Sequence, residues 1–211
     1  MKLYFRGSDL VYIYPDLKTA LRGSFDDQGR IIDAKQVDII GERTQQFGGI
    51  KELQFSKTFG PAFKADVSTS KHLSSEPLLR DVFESKMISV KRSSVPKAGE
   101  GVFVNKDVAK NTVVSYFNGI RLLKNEVFSW NPFRKTSVYL VELGDEKGDD
   151  IFLDIPEEFS DWKKYQATAG HKVNHAKSPN AAYTECQHPR FGKILCLYTL
   201  KVNQPHLLVK N

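Results

Sequence analysis

The sequence predicts a mostly β chain of several small sheets with short helical turns. Three observations carry that expectation. Short runs of β-branched and aromatic residues recur along the chain, clusters of Gly, Pro, Asn and Asp separate them, and no segment keeps a helical or βαβ period. At 40% hydrophobic and 11% aromatic over 211 residues, the chain can bury a core. Its 14 glycines and 9 prolines fall far short of the ~25–30% share typical of low-complexity chains.

The elements follow in order. Val11-Tyr12-Ile13-Tyr14 reads as a strand closed by Pro15-Asp16. Leu21–Phe25 is the next, and Asp26-Asp27-Gln28-Gly29 supplies turn chemistry before Arg30-Ile31-Ile32, so a hairpin is expected there. From 41 to 80, Gly48-Gly49 and Gly60-Pro61 interrupt the spaced phenylalanines, and the stretch reads as irregular, with short strands and loops. Lys86–Lys91 alternates as a strand, Ser93–Gly101 is a loop, and Val102–Val104 and Val113–Phe117 are strands. Asn118-Gly119 is the strongest short hairpin signal in the chain. Val138–Leu143 and Ile151–Ile155 suit a hairpin around the acidic loop 144–150, Pro156–Lys164 a helical turn, and Ile194–Leu200 a final strand.

Charge is unevenly placed. Residues 1–85 carry 12 basic and 12 acidic side chains, so the whole surplus of +6 lies in 86–211. No basic run forms a nucleic-acid arm, and no repeated aromatic-plus-basic face suits a nucleic-acid binder. No apolar run reaches the ~18 residues of a membrane span, and the N-terminus lacks an h-region. Cys186 and Cys196 are the two cysteines, too few for a disulfide scaffold. A chain of a reducing interior compartment, outside the membrane, is the expectation.

Most catalytic signatures fail. His171 and His175 have i, i+4 spacing, but Lys172 follows His171 where a zincin needs Glu. Cys186, His188 and Cys196 lack CxxC pairing, so no metal site is expected. No GxSxG, Walker loop or GxGxxG occurs. Two segments remain. Ala98-Gly99-Glu100-Gly101 places two glycines around an acid just before a strand, where backbone can approach a ligand closely. Gly170-His171-Lys172-Val173-Asn174-His175-Ala176-Lys177-Ser178-Pro179-Asn180 concentrates polar groups that ordinarily bond nearby backbone. Each alone suits a surface turn or a hydrogen-bonded loop.

Together, in this order and about seventy residues apart, they resemble the SET domain of protein-lysine methyltransferases. There a GxG-bearing turn and an NHxxxPN segment form the S-adenosylmethionine pocket. The resemblance runs along most of 86–200, through Val113–Gly119, Asp154-Ile155-Pro156 and His188-Pro189-Arg190-Phe191-Gly192. It is similar to the histone-lysine methyltransferase type in which MORN repeats precede the SET domain. Tyr14-Pro15-Asp16 through Gly23-Ser24-Phe25 and Gly29 is similar to one degenerate MORN repeat. The implied organisation is a β-rich, MORN-like hairpin region over 1–85, a SET domain over 86–200 and a divergent tail over 201–211.

By the resemblance, Ala98, Gly99, Glu100, Asn174 and His175 hold S-adenosylmethionine, and Phe117 and Tyr183 line the substrate-lysine channel. Partners are histone tails or other lysine-bearing proteins, and the location is the nucleus. The sequence departs from the family in three places. Thr199-Leu200-Lys201-Val202 is followed by Asn203-Gln204-Pro205-His206, so the catalytic-tyrosine strand that closes the cofactor pocket is absent. Phe117 stands where this type has a channel tyrosine, and Leu195 where close relatives are basic. Weak or absent activity is the expectation, and a non-catalytic SET-scaffold binding protein is the alternative. Leu207-Leu208-Val209 is an apolar run able to fill part of the gap. Loss of a threaded strand otherwise exposes edges that invite pairing. The substrate lysine, the degree of methylation and the oligomeric state stay open.

Overall fold

A computed structural model describes residues 2–6, 9–44, 51–128, 138–146, 149–201 and 207–210. The chain forms two compact units, one of 1–65 with 188–192 and one of 66–187 with 193–211. Among the described residues both are mostly β, with several small sheets and few short helices.

The first unit is an antiparallel sheet. β1 (Lys2–Arg6), β2 (Asp9–Ile13), β3 (Thr19–Phe25), β4 (Ile31–Thr44) and β5 (Lys51–Phe55) follow one another across it, and β6 (Phe59–Phe63) pairs with β4. Val11, Ile13, Ala20 and Val37 form its buried centre, with Ile39, Leu53 and Phe55 packed against them. The expected hairpin lies where turn chemistry put it. Asp26 accepts from the Gln28 amide (3.0 Å) and the Arg30 amide (2.8 Å), and Gly29 takes the left-handed conformation. The expected short strand at Arg30–Ile32 is instead the start of a strand of fourteen residues, Ile31–Thr44, which runs into the stretch from 41 to 80 read as short strands and loops. A bulge hides it from a period-two reading: Phe25 opposes Ile31 while Ser24 opposes Asp33, leaving Ile32 as an extra, exposed residue. The phenylalanines at 55, 59 and 63 belong to β5 and β6, whereas Phe47 lies outside the described residues.

The second unit is a set of small sheets. α1 (Glu84–Met87) leads into β7 (Ile88–Arg92), which pairs with β8 (Glu100–Val104). β9 (Val113–Phe117) is followed by β10 (Ile120–Leu123), α2 (Lys124–Phe128), β11 (Val141–Glu146) and β12 (Asp149–Asp154). A 3-10 turn at Glu157–Phe159 and a second at Gly170–Lys172 precede β13 (Asn174–His175), β14 (Ala181–His188), β15 (Gly192–Thr199) and β16 (Val209–Lys210). The sheet orders are β10-β12-β11, β14-β15-β9 and the parallel pair β13-β16.

The acidic hairpin over 141–154 forms with register, Val141 opposite Leu153 and Glu146 opposite Asp149. Asn118-Gly119 closes no hairpin: β9 pairs with β15, and β10 pairs with β12. Asn118 is buried instead, donating to the Leu73 carbonyl (3.2 Å) and accepting from Ser68 (3.2 Å). A Cβ on Gly119 would lie 2.7 Å from the Asp154 amide nitrogen and carbonyl oxygen. The pair serves close packing at a change of sheet, a tertiary demand that imitates a local turn signal.

Candidate functional site

The two polar segments meet. In the second unit a cavity of about 580 Å³ is lined by Ala98, Gly99 and Glu100 from the first segment and Asn174 and His175 from the second. Phe117 lines it too, together with Tyr139, Ser160, His171 and Lys172.

Backbone conformation shapes one wall. Lys97 (φ 62°) and Gly99 (φ 67°) are left-handed, folding 93–100 into a loop whose Gly99 carbonyl accepts from Ser93 (2.8 Å). The Asn174 side chain ties that loop to the opposite wall. It donates to the Glu100 carbonyl (3.1 Å) and accepts from the Ser93 hydroxyl (2.6 Å). Glu100 also pairs with Lys172 at 2.8 Å, and Lys172, only 8% exposed, donates to the Ser160 carbonyl as well. Opposite charges therefore face each other on the cavity wall.

Asn174 and His175 form the short strand β13, held on one side by Val209 and Lys210 of β16. Asn180 clamps this pairing. Its amide donates to the Val209 carbonyl (3.1 Å), its Nδ2 to the Leu207 carbonyl (3.0 Å), and its Oδ1 accepts from the Val209 amide (2.8 Å). Leu208 is fully buried and donates through its amide to the Val102 carbonyl (2.7 Å). The apolar run near the end of the sequence thus packs against both cavity segments.

Phe117 and Tyr183 come together as well, ring centroids 5.8 Å apart and edge to face. Phe117 is on the cavity wall, whereas Tyr183 packs behind it and donates its hydroxyl to the Gly170 carbonyl (2.7 Å). Burial, reinforced by the nearby Glu84 carboxyl, pushes the Tyr183 phenol upward, so it stays a donor. Leu195 is buried in β15, opposite Phe117.

Sequence reasoning missed Tyr139, Ser160 and Lys172 as wall residues, and weighed His171 as a metal ligand alone. Tyr139 lies in a turn before β11, where a strand is expected, and Ser160 follows the Glu157–Phe159 turn; neither carries a motif, so no local signal marks them. His171 packs among Tyr139, Trp162 and Tyr165, with ring centroids 5.8, 6.4 and 5.5 Å away. Burial, then the Lys172 charge, pulls its pKa down to about 3. The fully buried Glu84 carboxyl is raised to about 7, chiefly by burial.

The two groups act on stability in opposite senses. Glu84 favours folding below about 4.5, and its contribution fades as pH rises through about 7. His171 favours folding above its ordinary 6.5, and that contribution fades as pH falls toward about 3. Between about 4.5 and 6.5 the slopes oppose, so these two groups together leave stability nearly level there. A His171→Phe variant removes the acid-side loss, which is about 2 kcal/mol at pH 5. Its urea midpoint should fall as pH rises from 5 to 6.5, and a midpoint tracking the wild type across that window contradicts the assignment.

No protein-family model matches the chain. Histone-lysine N-methyltransferase SETD7 of Halocynthia roretzi is 38% identical to it over 195 residues, 92% of this chain and 48% of that protein. The chain is a homologue of a histone-lysine N-methyltransferase. It spans about half the length of this SETD7 relative. Among solved structures, a polycomb repressive complex 2 (ctPRC2) in an autoinhibited conformation bound to S-adenosylmethionine aligns at 17% identity and TM-score 0.42, and an active polycomb repressive complex 2 in the basal state at 18% and 0.44. Each alignment covers 60% of this chain and 15% of the other. Those likenesses are too slight to bear on the fold or the site, whereas homology to the SETD7 relative covers both cavity segments and the Phe117–Tyr183 pair.

Proposed function

We propose that this chain binds S-adenosylmethionine in the 580 Å³ cavity and belongs functionally to the protein-lysine N-methyltransferases, with histone tails or similar lysine-bearing segments as methyl acceptors. One observation carries the reading: Ala98–Glu100 and Asn174–His175, distant in sequence, line one cavity with Phe117 beside them. The volume lies within the ~300–1,000 Å³ of small-molecule sites. Glu100 and Lys172, paired at 2.8 Å, suit the two charges of an amino-acid moiety. A Cβ on Gly101 would meet Asn174 Oδ1 at 2.9 Å, so the loop carries glycine where Asn174 must reach across.

When bound, S-adenosylmethionine supplies a methyl group activated on a sulfonium. The chain's residues then have to orient the acceptor rather than perform acid–base chemistry, because alignment supplies much of the rate of such a transfer. Phe117, backed by Tyr183, is read as the apolar wall against which a lysine side chain lies, and dry surroundings favour its neutral, nucleophilic amine. The Tyr183 hydroxyl fixes the Gly170 carbonyl, an acceptor dipole beside that wall. Phe117 offers no hydroxyl, which favours low turnover. The same residue favours a second reading, a binding protein that keeps the scaffold without catalysis. Tyr14 to Gly29 of the first unit is read as one degenerate MORN-like repeat, and the nucleus as the location.

Calorimetric titration with S-adenosylmethionine tests the proposal. Saturable binding is expected, falling at least about a hundredfold in an Asn174→Ala, His175→Ala double variant that retains its far-ultraviolet spectrum. Binding without methyl transfer to a lysine peptide supports the scaffold reading. No binding by the folded wild type overturns both.

A further inference from the structure

We propose that Glu84 is a positioning residue for methyl transfer, a buried strut that sets the spacing between the Phe117 wall and the Gly170–Lys172 turn. The inference rests on the reading of the cavity given above. Glu84 is 1% exposed and opens α1, outside both cavity motifs and not itself a lining residue. One oxygen, Oε1, accepts three hydrogen bonds from two separate segments. The Ser115 hydroxyl (2.5 Å) and the Tyr116 amide (2.9 Å) reach it from β9, and the Ala169 amide (3.0 Å) from the start of the turn. Oε2 has no hydrogen-bond partner among the described residues.

A buried carboxyl with one orphaned oxygen is costly to keep for stability alone. Its three bonds hold parts whose relative placement matters to the reaction. Tyr116 is followed by Phe117 on the cavity wall, and Ala169 by Gly170, whose carbonyl receives the Tyr183 hydroxyl (2.7 Å). The turn then presents His171 and Lys172 to the cavity. The fit is tight: a Cβ on Gly170 would lie 2.6 Å from the Tyr116 carbonyl oxygen and 2.7 Å from the Phe117 Cβ. Glu84 holds these two surfaces together from one side, and the Tyr183–Gly170 bond holds the turn from β14. The backbone of Glu84 is itself fixed, since the Glu84 amide (2.9 Å) and the Phe83 amide (3.0 Å) both donate to Asp81. A slackened strut lets the turn drift from β9, and misplacement of about 1 Å costs on the order of a hundredfold in rate.

The test uses the full chain as Glu84→Leu, which removes the acceptor, with Glu84→Gln as the conservative variant that keeps an acceptor oxygen and Ser115→Ala as a milder one that removes one of the three donors. Without cofactor, hydrogen exchange at the Tyr116 and Ala169 amides should quicken at least tenfold in Glu84→Leu, stay near the wild type in Glu84→Gln, and be unchanged across β1–β6. With cofactor, affinity of Glu84→Leu for S-adenosylmethionine should hold within about threefold, while single-turnover transfer of a labelled methyl group to a lysine peptide drops tenfold or more. Ser115→Ala should show the same split to a lesser degree, and it decides the matter if Glu84→Leu fails to fold. Unchanged exchange in Glu84→Leu, or rate and affinity falling in proportion, overturns the strut. Failure of the wild type to bind S-adenosylmethionine is a separate result: it overturns the reading of the cavity and reduces Glu84 to architecture.

Discussion

A Gly170→Ala variant should lose cofactor binding and several kcal/mol of stability in the second unit. The new Cβ would stand 2.6 Å from the Tyr116 carbonyl oxygen, 2.7 Å from the Phe117 Cβ and 2.9 Å from the Phe117 Cα. Two of these are backbone atoms of a paired strand, so no rotamer change relieves the clash. The 3-10 turn has to back away from β9, and two bonds that anchor it stretch: Ala169 to Glu84, and Tyr183 to the Gly170 carbonyl. Overpacking of this kind costs about 1–3 kcal/mol, and each broken buried hydrogen bond adds about 1 kcal/mol. Because the turn carries His171 and Lys172, the cavity wall moves with it. Urea denaturation and calorimetric titration of the variant check both halves. Wild-type affinity with unchanged stability would show that the turn does not depend on contact with β9.

What could be read from sequence follows the range of the interactions involved. The first cavity segment is legible because its chemistry is local, a turn needing glycine at a left-handed position, and Gly99 does take that conformation. The Asp26–Gly29 turn is legible for the same reason. The polar run is expected to bond neighbouring backbone, whereas the Asn174 side chain bonds the Glu100 carbonyl, 74 residues away, a partner no local signal names. Elsewhere local signals mislead or fall silent. Asn118-Gly119 carries the composition of a two-residue hairpin, yet the Asn118 side chain is spent on Leu73 and Ser68, 45 and 50 residues away in sequence. Ile32 bulges out and shifts the buried residues of β4 out of alternation. Glu84 has no signature at all, since an acid at a helix start reads as a solvated first-turn residue. Only the three donors converging on it from β9 and the Ala169 amide reveal its place.

The apolar run near the end of the sequence joins these two kinds of information. Its residues are legible as able to fill a gap, but its partners are not. In the structure Leu208 is 0% exposed and lies against the backbone of Val102, while Val209 pairs with Asn174. Leu207 reaches Gly101 so closely that a Cβ there would come within 2.5 Å of its Cδ1. One short segment therefore braces the loop that presents Glu100 and the strand that presents Asn174 and His175. Placing an acid at Leu208 forces an unpaired carboxylate into an apolar site or the segment out of it. Expulsion is the cheaper course, and it takes with it the Asn180 clamp and the parallel partner of β13. Leu208→Asp is therefore expected to weaken S-adenosylmethionine binding more than a hundredfold while the first unit keeps its hydrogen-exchange protection. Leu208→Met, close in volume, costs less than about 2 kcal/mol in a core and should bind almost as the wild type does. If the Asp variant retained full affinity, the cavity would be organised by β8 and the Asn174 bridge alone, and the Leu207–Lys210 segment would have no part in it.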